Sequence, residues 1–177
     1  MTPEYLLKEV IDRFVLLHVQ DEDKQKRMLY ASIGAYQDKA GYVKTISSDE
    51  HNIAIPDDSD GLFSISDKDG LMPDFEVSET EWIVSGCEKA PFKVQYLVNL
   101  RGIDYEAGEI PSGTASLISD HLYASLDLVN TQIDRMIKQS AELPFDSLRS
   151  DAELIQARAD VELRMQEDSS LNMMVSV

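Results

Sequence analysis

The sequence predicts an α+β fold: a helical bundle of about four helices, an inserted small antiparallel β subdomain and an extended C-terminal tail. Three observations predict it. Apolar residues recur at helical spacing near both ends of the chain. Between residues 92 and 101 they alternate with polar ones. The stretch between the helical parts is rich in turn residues and carries most of the net negative charge. Of the net charge of -17, residues 46–90 supply twelve acidic and two basic side chains, whereas residues 1–45 carry seven of each and are neutral.

The elements follow in order. Thr2-Pro3-Glu4 suits a helix start, because Thr can cap, Pro fits the first helical position and Glu favours the positive end of the dipole. Leu7, Val10, Ile11, Phe14, Leu17 and His18 keep helical spacing, so this helix is expected to run through His18. Asp21-Glu22-Asp23 opens a second helix with Met28, Leu29, Ile33 and Tyr36 on its apolar stripe and Gly41 as its stop. The two helices should form a hairpin or one bent rod. Short strands are expected at 42–47, 52–55, 62–66, 75–78 and 82–87, with hairpin turns at Asp58-Ser59-Asp60-Gly61 and Asp67-Lys68-Asp69-Gly70. Phe92, Val94, Tyr96, Val98 and Leu100 alternate with Lys93, Gln95, Asn99 and Arg101, which predicts one strand of about ten residues with a buried face. Beyond Ile110-Pro111, Ala115, Ile118, Leu122, Ser125, Leu128, Val129, Ile133, Met136 and Ile137 mark a long helix that Leu143-Pro144 ends. Ser150-x-x-Glu153 is a capping box for a last helix. There Leu154, Ala157, Val161 and Met165 face inward, and Glu153, Arg158, Glu162 and Arg164 face outward. The expected organisation is a single domain with N-terminal helices at 1–41, a β insertion at 42–110, C-terminal helices at 111–168 and a docking tail at 169–177.

Composition narrows the function. Apolar residues make up 43% of the chain, enough for a packed core despite the charge. No run approaches the roughly 18–20 apolar residues of a membrane span, so no membrane association is expected. The single cysteine, Cys87, cannot form an internal disulfide, and synthesis in a reducing cytoplasm is expected. Lys and Arg clusters of the kind that grip phosphate backbones are missing.

Catalytic and metal patterns are weak. An EF-hand loop needs acids at its first, third and fifth positions, Gly at the sixth and Glu at the twelfth. Around Gly61, Pro56 takes the first place and Asp67 the twelfth; around Gly70, Ile65 takes the first, so hairpin turns are preferred over calcium sites. His18, His51 and His121 lie in separate segments, and none has a second His or Cys at ligand spacing. Ser85-Gly86-Cys87 and Ser112-Gly113-Thr114 lack a nucleophile-elbow frame, and no Gly-rich phosphate loop occurs. The chain is therefore expected not to be an enzyme and to use no catalytic residue, metal or cofactor. The candidate site is instead the tail. No charge follows Asp168, and Leu171, Met173, Val175 and Val177 lie on one side of an extended chain, with Met174 on the other. Such an end either docks on its own core or inserts into a partner, and the partner is preferred.

The strand from Phe92 to Arg101, Ile110-Pro111 opening a long helix, the final helix from Ala152-Glu153-Leu154 to Glu162-Leu163-Arg164-Met165-Gln166-Glu167, and the tail together resemble the head-to-tail adaptor (connector) proteins of tailed double-stranded DNA bacteriophages, of the tail-tubular-protein-A type. The resemblance implies a virion structural protein in the neck region, made in the host cytoplasm. Its partners would be the portal protein and a tail or nozzle protein, and it would form a homo-oligomeric ring, a dodecamer in that family. DNA would pass through the ring without specific binding, which an acidic wall would favour. The competing expectation is an acidic DNA-mimic inhibitor of a nucleic-acid-binding protein.

Overall fold

The computed structural model describes residues 1–86 and 89–169. It is an α+β fold of four α-helices and two three-stranded antiparallel sheets. Helix α1 spans Pro3–Ile11, capped by the Thr2 hydroxyl, which accepts from the Tyr5 amide. Helix α2 spans Glu22–Lys39 with Asp21 as its N-cap, and Gly41 at φ 67° carries the chain out of it. Helix α3 spans Ser112–Ser140, and α4 spans Asp151–Glu167 behind the Ser150/Glu153 capping box.

The first helix is shorter than its apolar spacing predicts. Phe14, Leu17 and His18 lie in the connection between α1 and α2 and not in a continued helix. That connection lies against α3. Phe14 stacks on Tyr123 with ring centroids 4.7 Å apart, and the Arg13 guanidinium sits 4.2 Å from the same ring. The Asn130 amide accepts from the His18 amide at 2.6 Å and donates to the Leu16 carbonyl at 3.0 Å. A side chain thus satisfies backbone groups that a continued helix would have paired internally.

The strands are β1 (Val43–Ser48), β2 (Asn52–Ala54), β3 (Ser59–Ser66), β4 (Asp74–Val77), β5 (Glu81–Ser85) and β6 (Phe92–Val98). One sheet has the order β1-β6-β3 and the other β2-β5-β4. The chain therefore crosses between sheets at every connection except β4–β5, a hairpin closed by the Ser78 amide on the Glu81 carbonyl at 2.9 Å. This corrects the two expected hairpin turns. The first turn comes earlier, with the Ser59 amide bonded to the Pro56 carbonyl at 2.9 Å, and Ser59, Asp60 and Gly61 already belong to β3. The second does fall at Asp67–Gly70, but it leads from β3 in one sheet to β4 in the other.

Strand β6 shows the alternation read from the sequence: Phe92, Val94, Tyr96 and Val98 are buried. Leu100 is also buried, but it begins a 3-10 turn, Leu100–Gly102, so the strand is shorter than ten residues. The buried face of β6 meets Trp82 and Val84 of β5 and Ile53 of β2, and all of them share one core with Leu29, Ile33, Tyr36, Ile118 and Leu122 of the helices. Gln37 joins the layers by polar contacts. Its amide nitrogen donates to Asp60 at 2.9 Å, and its amide oxygen accepts from the Arg101 backbone at 3.0 Å.

The apolar stripe of α3 divides in two. Ala115, Ile118 and Leu122 are buried, whereas Met136 and Ile137 are 62% and 47% exposed. Truncating the two halves should therefore cost differently. Ile118→Ala is expected to lower unfolding free energy by about 2–5 kcal/mol, and Ile137→Ala by about 0.5 kcal/mol or less. Urea unfolding of the two variants checks this; equal costs would contradict the division.

Candidate functional site

The tail residues singled out from the sequence, Leu171, Met173, Met174, Val175 and Val177, lie outside the described residues, as does Cys87. What is described is their anchorage. Helix α4 ends at Glu167 with Asp168 as its C-cap, near the end expected. Ser169 is buried, and its hydroxyl donates to the Ala40 carbonyl at 3.0 Å. The Tyr36 hydroxyl donates to Asp168 at 3.4 Å. Burial, then the Asp168 charge, pushes the Tyr36 phenol up to about 12, so it stays a proton donor across the ordinary pH range. The last described residue is thus pinned where α2 hands over to β1.

A second cluster lies between α2, α3 and α4. His121 is buried, with Nδ1 3.0 Å from the Ser32 hydroxyl and Nε2 3.5 Å from Glu162. Glu162 also receives Lys39 at 3.1 Å and Arg158 at 3.7 Å. Sequence reading placed Glu162 outward, but α4 turns it toward α2 and α3, where it is half-buried. The i, i+4 spacing of Arg158 and Glu162 gave a surface-pair signal, and nothing local showed the histidine opposite. Ser, His and Glu in this order suggest a nucleophile and base. However, Ser32 has no exposed surface, and its hydroxyl donates to the Met28 carbonyl one turn earlier at 3.0 Å. A hydroxyl sealed inside a helix interface and bonded to backbone meets no substrate, so the cluster is a packing network.

The other two histidines stay apart from it. His18 faces Asp134 at 3.8 Å, and His51 meets the edge of Phe92 with centroids 5.1 Å apart. The acids tested as calcium ligands serve other groups. Asp58 accepts from Lys44 at 3.1 Å and from the Tyr96 hydroxyl at 2.9 Å, and Asp60 accepts from Gln37. Asp67 accepts from the Asp69 and Leu71 amides at 2.9 and 2.8 Å, which shapes its turn. Among the described residues no group of three or more His, Cys, Asp or Glu side chains could hold a metal ion.

A pocket of about 500 Å³ opens beside β1 and β6, lined by Tyr42, Lys44, Asp58, Asn99, Ile103 and Glu109 among others. The hydrogen bond to Asp58, before any other influence, raises the Lys44 pKa, so its ammonium stays charged and is no nucleophile. Burial first, and then Asp58, raises the Tyr96 phenol. The trio fastens β1 and the turn before β3 onto β6.

No protein-family model and no curated protein matches this chain. Met136 and Ile137 near the end of α3, Leu143 beyond it, and Val15 and Leu16 in the connection held by Asn130 are all exposed large apolar residues. The α3–α4 turn that follows Met136 and Ile137 is braced. Arg135 bonds Asp151 at 2.6 Å and the Arg149 carbonyl at 2.6 Å, and Arg149 bonds Asp127 at 3.2 Å. Among the described residues no helix is long and apolar enough to cross a membrane.

The His121 cluster makes a pH prediction. Burial lowers the His121 pKa below its ordinary 6.5, and Glu162 opposes this without overcoming it. The fold thus favours the neutral ring, and the unfolded chain binds the proton first. This contribution is complete above about pH 6.5 and is lost as the pH falls toward the folded value. The Glu162 pKa is also lowered: burial would raise it, but Lys39 and His121 outweigh that, so its own contribution is lost at more acid pH. Unfolding free energy should therefore already decline as the pH falls below about 6.5, and His121→Gln should flatten that decline. An unchanged slope in the variant would contradict this assignment.

Proposed function

We propose that this chain is a virion structural protein, a subunit of a head-to-tail adaptor ring that joins a bacteriophage portal to its tail and prolongs the DNA channel. The observation that carries the reading is the exposure of large apolar side chains at the far end of α3 and beyond it, Met136, Ile137 and Leu143, next to a braced turn. Apolar residues gathered on a rigid element of a charged protein suit burial against another subunit. The uncharged segment after Asp168 supplies a second contact, with the portal as its partner. The net charge of -17 suits a channel wall along which DNA slides without being held. On this reading the protein is not an enzyme, and its ring and portal contacts are its chemistry.

A DNA mimic finds less support. It would need rows of unpaired carboxylates. On α3 and α4, Asp120 pairs with Arg164 and Arg13, Asp127 with Arg149, Asp134 with Lys138, and Asp151 with Arg135.

The test is assembly. Native mass spectrometry of the chain mixed with the portal protein encoded alongside it should give a portal-bound ring. The double variant Met136→Asp, Ile137→Asp should fold and fail to close that ring, because two charges would enter a desolvated contact. A chain that stays monomeric on the portal, or a double variant that assembles like the parent, would overturn the reading.

A further inference from the structure

An apolar groove of about 490 Å³ lies between the two sheets, lined by Ile55, Leu62, Phe63, Phe75, Val77 and Trp82. Phe75 and Val77 are two residues apart on β4 and are exposed by 44% and 62%, so one face of that strand is bare apolar surface. Among the described residues strand β3, on the other side, pairs only with β6, and β4 pairs only with β5. Each is an edge strand with one side open to a further chain. Strand β3 also carries register shifts between Ser59 and Gly61 and between Leu62 and Ser64, which bend it beside the groove.

The rim of this groove leads back to the end of the described chain. Asp60 lines the groove and accepts from Gln37 of α2 at 2.9 Å. Three residues further, about 4.5 Å along the axis, the Ala40 carbonyl holds the Ser169 hydroxyl at 3.0 Å. Eight residues follow Ser169, with an extended reach of about 26 Å. They carry no charged side chain, and Leu171, Met173, Val175 and Val177 share one side of an extended strand. The groove's one charged lining residue, Asp60, is already engaged by Gln37.

We propose that this groove is the docking site of the chain's own C-terminal segment, Leu171–Val177. The segment enters from the Ala40 end and lays its alternating apolar side chains against Phe75 and Val77. A partner that takes the tail would then have to draw it out of this groove, which makes the free chain self-capped. The inference does not rest on the adaptor reading and is tested without any portal.

The test places a photo-crosslinking benzoylphenylalanine at Phe75 in the full-length chain, and separately at Val77, in case one variant fails to fold. The chain is irradiated at two protein concentrations and digested with trypsin, which releases the end of the chain as Met165–Val177. That peptide should be crosslinked within species of monomer mass, with a yield unchanged by dilution and reduced by Val175→Asp. Crosslinks that avoid the peptide from both positions, that ignore Val175→Asp, or that occur only in species of twice the mass would overturn the proposal, the last because a second copy would be the occupant.

Discussion

Strand β6 is the constraint on which the structure depends. Among the described residues it is the only strand in its sheet with a partner on each side, β1 on one and β3 on the other. Its inward face also meets the second sheet, where Trp82 and Tyr96 have ring centroids 6.0 Å apart. Burying Phe92, Val94, Tyr96 and Val98 against both the other sheet and the helices contributes roughly 1.5–3 kcal/mol per large side chain. Much of the polar wiring starts from the same strand. Tyr96 fixes Asp58, Asp58 holds Lys44, and just beyond the strand Arg101 reaches Gln37 and Asp38 of α2.

Once β6 is set, the helices have little choice of position. Gln37 and the Arg101 side chain, which passes 3.3 Å from the site a Cβ would take on Gly34, fix α2 against the sheet layer. Helix α3 then lays its first half on α2, and α4 closes over both through Leu154, Val161 and Met165. The second half of α3 has α4 and the Leu16–His18 segment beside it, and its Met136 and Ile137 side chains stay outside. That leftover surface, and the bare face of β4, are consequences of where the core stops.

Features set by local chemistry were legible in the sequence. The alternation from Phe92 to Val98 marked β6 because one buried face imposes period two, and Ser150/Glu153 marked the start of α4 because a capping box is self-contained. Gly41 marked the exit from α2 for the same reason. Features set by distant groups were not legible. Phe14 and Leu17 keep helical spacing, yet Asn130, more than a hundred residues away, takes up the backbone groups there. The turn at Asp67–Gly70 was visible and the one before β3 was placed two residues late, but which sheet follows each depends on β6 pairing with β1 and β3. Glu162 looked like a surface carboxylate until His121 and Lys39 were placed opposite it. The apolar period of α3 continues past the core, so period alone could not say that Met136 and Ile137 end up bare.

The account's central claim is that apolar side chains divide into a core organised on β6 and an uncovered set left for contacts outside it. Native-state amide hydrogen exchange on the free chain tests this most directly, because it ranks segments by the free energy of opening. Amides of Phe92–Val98 should exchange only with global unfolding, together with those around Ile118 and Leu122, while amides from Gln132 to Ser140 should open locally and earlier. Amides of β6 exchanging ahead of the far end of α3 would contradict the account.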